Sequence, residues 1–90
     1  MISAQTMAIE LGIVVPCFDE EAVLPETARR LSALLHRLVA AGSVATSSRI
    51  WFVDDGSQDR TWELIEQFAR DGLPVCGIRQ PMERFDGRGI

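Results

Sequence analysis

The sequence predicts an α/β fold with a parallel sheet, and three observations carry that prediction. Short β-branched apolar runs alternate with stretches of helical spacing, in the order β-α-β-α-β. The run Ile50-Trp51-Phe52-Val53 is apolar at four consecutive positions, which suits a strand buried on both faces. It then changes abruptly into Asp54-Asp55-Gly56-Ser57, and so ends in turn chemistry at the carboxyl end of a strand, where open α/β sheets bind ligands. Right-handed crossovers between such strands give a sheet of order 3-2-1, covered by helices.

Residues 1–10 show no period and are expected to be a loose terminus. The first strand is read from Leu11 to Val15 and is expected to stop at Pro16, which has no N–H for a ladder. Cys17-Phe18-Asp19-Glu20-Glu21 follows as a loop. A long helix comes next, with Pro25 in its first turn. Leu24, Ala28, Leu31, Leu35 and Leu38 form its apolar face, widened by Leu34 and Val39, and Gly42 ends it. Glu26 and Arg30 stand four apart in the favourable order. The second strand runs from Arg49 to Val53. Gly56 permits the sharp turn after it, and Ser57 or Asp59 is placed to cap the helix from Thr61 to Arg70. Trp62, Ile65, Phe68 and Ala69 are that helix's buried face, and Asp71-Gly72 closes it. Leu73 to Ile78 is the third strand, the weakest of the three because it contains Pro74 and Gly77. Residues 80–90 carry no period and two glycines, and are expected to be an unstructured tail.

Ninety residues make one domain at most. A formal charge of −4, with nine basic residues in no stripe, argues against nucleic acid as a partner. The apolar runs fall short of the roughly 20 residues needed to span a bilayer. No basic segment precedes an apolar core, so no signal peptide is expected. Cys17 and Cys76 are at no metal-ligand spacing and read as buried free thiols in a reducing, cytoplasmic compartment.

Chemistry-bearing side chains gather at the two βα junctions: Asp19, Glu20 and Glu21 after the first strand, Asp54 and Asp55 after the second. On adjacent parallel strands they share one rim. Carboxylates there can accept hydrogen bonds from sugar hydroxyls or a base, or hold a divalent ion. They can also be solvated acids at helix N-termini, which favour negative charge. Phe18 is placed to stack on a base, whereas Trp51, Phe52, Trp62 and Phe68 read as core. Several other sites are absent. No Gly-x-Gly-x-x-Gly follows the first strand, the chain has no lysine for a phosphate loop, Ser57 lacks a nucleophile elbow, and His36 lies within the long helix.

The segments Val14-Val15-Pro16-Cys17-Phe18-Asp19-Glu20-Glu21 and Phe52-Val53-Asp54-Asp55-Gly56-Ser57-Gln58-Asp59-Arg60-Thr61 together resemble the start of a family-2 glycosyltransferase with the GT-A fold. The likeness is greatest to the dolichyl- and undecaprenyl-phosphate sugar transferases, which show Val-Val-Pro-x-Tyr-Asn-Glu-Glu and then Val-Asp-Asp-Gly-Ser-x-Asp-x-Thr. It covers residues 11–79. The resemblance implies a three-layer β-α-β-α-β half of a Rossmann-like nucleotide-binding domain, in an enzyme that moves a sugar from a nucleotide-diphosphate donor to a lipid phosphate or saccharide. It implies that Pro16, Phe18 and Glu20 contact the nucleotide and that Phe52 and Asp54 hold its base and ribose. Asp55, Gly56 and Ser57 would shape the turn, and Asp59 matches the family's acid at a helix start. No catalytic residue is assigned. Relatives often work at the inner face of the membrane.

There are departures from the pattern. Phe18 replaces a tyrosine. Asp19 replaces an asparagine, and a like charge near an anionic nucleotide costs about 1 kcal/mol at 4 Å in water. Donor affinity is expected to fall accordingly. The family's later Asp-x-Asp motif, which holds Mg or Mn, is absent, and the residues after Arg79 do not match an Arg-Asn-x-Gly segment. The chain is therefore expected to be an inactive amino-terminal fragment of a transferase. The competing readings are a non-catalytic remnant or interaction module, and a receiver-like signalling domain. The receiver is disfavoured because its acid pair follows the first strand, not the second.

Overall fold

The computed structural model describes residues 9–80 and, as backbone, residues 83–85. The elements are β1 (Gly12–Cys17), α1 (Leu24–Ala40), β2 (Arg49–Asp54), α2 (Thr61–Arg70), β3 (Val75–Arg79) and β4 (Glu83–Phe85). The sheet order is β1-β2-β3-β4, and the first three strands are parallel. The three expected strands thus lie in the expected order. The expectations for residues 1–8, 81–82 and 86–90 lie outside the described residues.

Strand β1 does not stop at Pro16; it runs through it to Cys17. The reason is direction. Leu11 and Cys17 both offer their carbonyls to β2, to Arg49 and Asp55 N–H, so odd-numbered positions face the neighbour. Pro16 is even-numbered, and its missing N–H falls on the unpaired side, where proline is tolerated. β3 begins two residues later than expected. Pro74 stays outside the strand, though its carbonyl accepts Ile50 N–H at 2.7 Å.

The tail expectation is corrected at 83–85. This segment pairs antiparallel with β3, matching Gly77 to Phe85 and Arg79 to Glu83. A short reversal suffices for an antiparallel partner, and pairing satisfies the free edge of β3. Three residues are too few to show a period, so the sequence carries no sign of it.

One core holds the molecule together. Leu24, Ala28 and Leu35 of α1 meet Cys17, Ile50, Phe52 and Val75 of the sheet and Trp62 and Ile65 of α2. Full burial of each large apolar side chain, such as Phe52 or Leu35, is worth roughly 1.5–3 kcal/mol. Both helices therefore cover the same face. Two right-handed crossovers that step in the same direction must place their helices on one side. The third layer implied by the resemblance is not formed by the described residues: Val14, Trp51 and Cys76 pair across the opposite face, and Val14 is 65% exposed there. Gly77 sits where α2 presses on β3. A Cβ there would lie 2.7 Å from Ile65 Cγ2 and 3.0 Å from the Trp62 ring. No helix among the described residues is long and apolar enough to cross a membrane.

Candidate functional site

The three parallel strands end level. Cys17, Asp54 and Arg79 are register partners at their carboxyl tips, and the loops at 18–23 and 55–60 rise beside one another from β1 and β2. Pro16 and Asp54 are thus at the same end of the sheet, and the two acidic junctions share one rim as expected.

Hydrogen bonds join the two loops side by side. Asp19 N–H donates to Ser57 Oγ at 2.9 Å, and Gln58 N–H donates to Asp19 Oδ1 at 2.9 Å. Glu20 N–H donates to Thr61 Oγ1 at 2.8 Å, and Glu21 N–H to Asp59 Oδ2 at 3.2 Å. Asp59 Oδ1 also accepts Thr61 N–H at 2.9 Å and the Thr61 hydroxyl at 2.5 Å. The Thr61 hydroxyl, followed by backbone amides, holds the Asp59 carboxyl below the usual range. Neither capping possibility is realised, because the N-cap of α2 is Arg60, which makes no side-chain cap bond; Asp59 precedes it and accepts the Thr61 N–H, while Ser57 turns back to Asp54.

Asp54 is fully buried. Its Oδ1 accepts both the N–H and the hydroxyl of Ser57, and its Oδ2 lies 3.8 Å from Arg79 Nε. Ser57 is itself buried, so Asp54 ties the turn from beneath. Asp55 comes one residue later, beyond the last ladder position, and is exposed. The geometry thus exchanges the two aspartates: Asp54 shapes the turn, and Asp55 faces solvent on the rim. Phe52 departs further from the role the resemblance implies. It is completely buried and packs against Phe68 at a ring separation of 6.5 Å. Even-numbered positions of the central strand point into the helices, so neither Phe52 nor Asp54 is presented to a ligand as placed.

Pro16 is exposed, Phe18 is 57% exposed, and Glu20 is half-buried. Pro16, Cys17 and Glu20 line a small depression of about 130 Å³ together with the start of α1. A larger hollow of about 530 Å³ lies at the other end of the strands, beside Gly12, Arg49 and Leu73. It gathers none of the rim acids, so the strand tips remain the candidate site. Gly56, at φ 81°, takes the left-handed turn expected of it.

Arg79 was missed as a site residue. It brings a cation to the rim, with its guanidinium 5.5 Å from the centre of the Trp62 ring. The sign in the sequence was a lone arginine ending an apolar run; its register with Asp54 was not readable. Both cysteines are free and buried. Burial, followed by the nearby Glu20 and Asp54 charges, pushes the Cys17 thiol from 9.0 up to about 11.

The rim does not fit a divalent ion on its own. No group of three or more ligating side chains forms among the described residues. Asp54 is sealed beneath the turn, and one oxygen of Asp19 is occupied by the Gln58 amide.

Comparisons with known proteins agree with this architecture. Residues 12–88 match the family described as Glycosyl transferase family 2. The match extends past Arg79, into the segment that the sequence motifs alone set apart. Over 69 residues the chain is 45% identical to an uncharacterized glycosyltransferase, YkoT, of Bacillus subtilis, covering 77% of this chain and 20% of that protein. It is 41% identical over 69 residues to the undecaprenyl-phosphate 4-deoxy-4-formamido-L-arabinose transferase of Pseudomonas paraeruginosa, covering 76% and 19%. The enzyme of the same description from Pseudomonas fluorescens is 36% identical, covering 76% and 18%. The chain spans about a fifth of the length of these relatives. No solved structure matches the chain.

Proposed function

Because the chain belongs to glycosyl transferase family 2, we propose that its strand-tip rim holds the nucleoside diphosphate end of an activated sugar donor. The observation that carries this reading is the convergence of three strand tips. Phe18, Asp55 and Arg79 bring a ring, an acceptor and a cation to one end of the sheet. An exposed ring stacks on a base. An exposed carboxylate accepts from the N–H of a base or the hydroxyls of a ribose, and a guanidinium offers its fork to phosphate oxygens. Pro16 and Glu20 border the same place.

The reaction is transfer of the donor's sugar to an acceptor, and the relatives' names favour a lipid phosphate over a saccharide. In that reaction the diphosphate leaves, and groups aimed at its developing charge would lower the barrier. The described residues supply recognition of the donor, not the acceptor side. We therefore expect this chain to bind donor and to give no turnover by itself. The divalent ion of the wider family would have to be held by residues beyond this rim. A place at the cytoplasmic face of a membrane follows from the same reading.

Titration calorimetry with the diphosphates of uridine, guanosine, adenosine and thymidine tests the proposal. At least one should bind, and Asp55→Asn should weaken it about tenfold or more without lowering the melting temperature. Failure of all four to bind at about 1 mM would sink the reading.

A further inference from the structure

We propose that Asp19 is a positioning residue of the donor site: its carboxylate grips the chain's own backbone and ties the loop carrying Phe18 to the loop carrying Asp55. This rests on the reading of the rim as a nucleoside diphosphate site. The family pattern places an asparagine at this position, and by charge alone an aspartate there should repel an anionic donor. The geometry gives the carboxylate a different task.

Asp19 has φ 49°, in the left-handed region where, glycine aside, aspartate and asparagine are the side chains best accommodated. That twist turns both its own N–H and its Oδ1 towards the second loop. The N–H meets Ser57 Oγ, and Oδ1 receives the Gln58 N–H, each at 2.9 Å. Two of the bonds that join the loops, over 38 and 39 residues of sequence, are made by this one residue, beside those of the Glu20 and Glu21 amides. The bridge is anchored below, because Ser57 donates its hydroxyl to the buried Asp54. Phe18 is the residue immediately before this clamp, and Asp55 stands two residues before Ser57. Fixing Asp19 against Ser57 and Gln58 therefore fixes the spacing between the ring and the acceptor on the rim. What the position needs is an oxygen acceptor on a residue that tolerates positive φ. Asparagine meets both requirements, and so does aspartate.

The test compares Asp19→Asn, Asp19→Gly and the unmodified chain. Glycine tolerates the same backbone twist and removes the acceptor, while adding backbone freedom, which the Ile50 to Val53 amides and the Asp19→Asn chain control for. The readouts are the affinity for whichever of the uridine, guanosine, adenosine and thymidine diphosphates the unmodified chain binds and the hydrogen exchange of the Gln58 amide by NMR. Asp19→Asn should leave both within about twofold. Asp19→Gly should weaken binding about tenfold and speed Gln58 exchange about tenfold, with the Ile50 to Val53 amides unchanged. Tighter binding by both variants at low salt would overturn the proposal in favour of simple charge repulsion. So would an Asp19→Gly chain with unaltered exchange. If the unmodified chain binds none of the uridine, guanosine, adenosine and thymidine diphosphates, the donor reading fails separately, and Gln58 exchange alone decides the clamp: raised in Asp19→Gly upholds it, unchanged refutes it.

Discussion

At the scale of single residues, neighbours in sequence have opposite environments. Asp54 is sealed under the turn, and Asp55 is open to solvent. Replacing Asp54 by alanine strands the N–H and hydroxyl of the buried Ser57, and each unsatisfied group costs about 1–3 kcal/mol. Urea unfolding of Asp54→Ala should show that loss, Asp54→Asn should show less because an oxygen acceptor remains, and Asp55→Ala should unfold like the parent. Cys17 makes a second test. Its folded thiol titrates near 11, above the usual 9.0, so the protonated form is favoured by folding. That contribution is fully present below pH 9.0 and is lost as the pH rises towards 11. Iodoacetamide at pH 8 should leave Cys17 unlabelled in the native chain and label it readily in urea, as read by mass spectrometry.

At the scale of elements, both helices were legible because each carries its own period. Leu24, Ala28 and Leu35, and likewise Trp62, Ile65 and Ala69, are buried where their spacing put them. The exposed Glu26 in the first turn of α1 pairs with Arg29 as well as the expected Arg30, and hydrogen bonds from the two hold its carboxyl down at about 2. Strand limits were less legible. Pro16 belongs to β1 only because its nitrogen faces the unpaired side, and that direction is set by which neighbour the strand acquires. Gly77 weakened the reading of β3, yet it is the position that lets α2 approach the sheet. Gly77→Ala should cost about 1–3 kcal/mol through overpacking against Ile65 and Trp62. Thermal unfolding measures it, and an unchanged melting temperature would mean that α2 moves away without cost.

Across the whole molecule, a sheet covered on one face has two edge strands among the described residues, the short β4 and β1, and β1, the longer, is paired on one side only. Backbone groups of Gly12 and Val14 point to that open side, which invites another strand. In dilute solution the Val14 amide should exchange at least about tenfold faster than that of Phe52, by hydrogen-exchange mass spectrometry or NMR. Equal protection would mean that another strand already covers the edge. Sedimentation velocity should also show association that grows with concentration, because the outer edge of β1 is unpaired among the described residues.

The order of elements up to β3, the parallel pairing of the first three strands, the acidic junctions and the family were all determined by the sequence alone. These depend on local periods, turn residues and two short motifs, and each can be read within a dozen neighbours. The tertiary structure alone decided which side of each strand faces the helices. That choice buried Phe52 and Asp54, left Asp55 on the rim, brought Arg79 level with them and set Asp19 against Ser57 and Gln58. A side chain's face follows from pairing partners and crossover hand. Both are relations between segments some 40 residues apart, and no single stretch of sequence contains them.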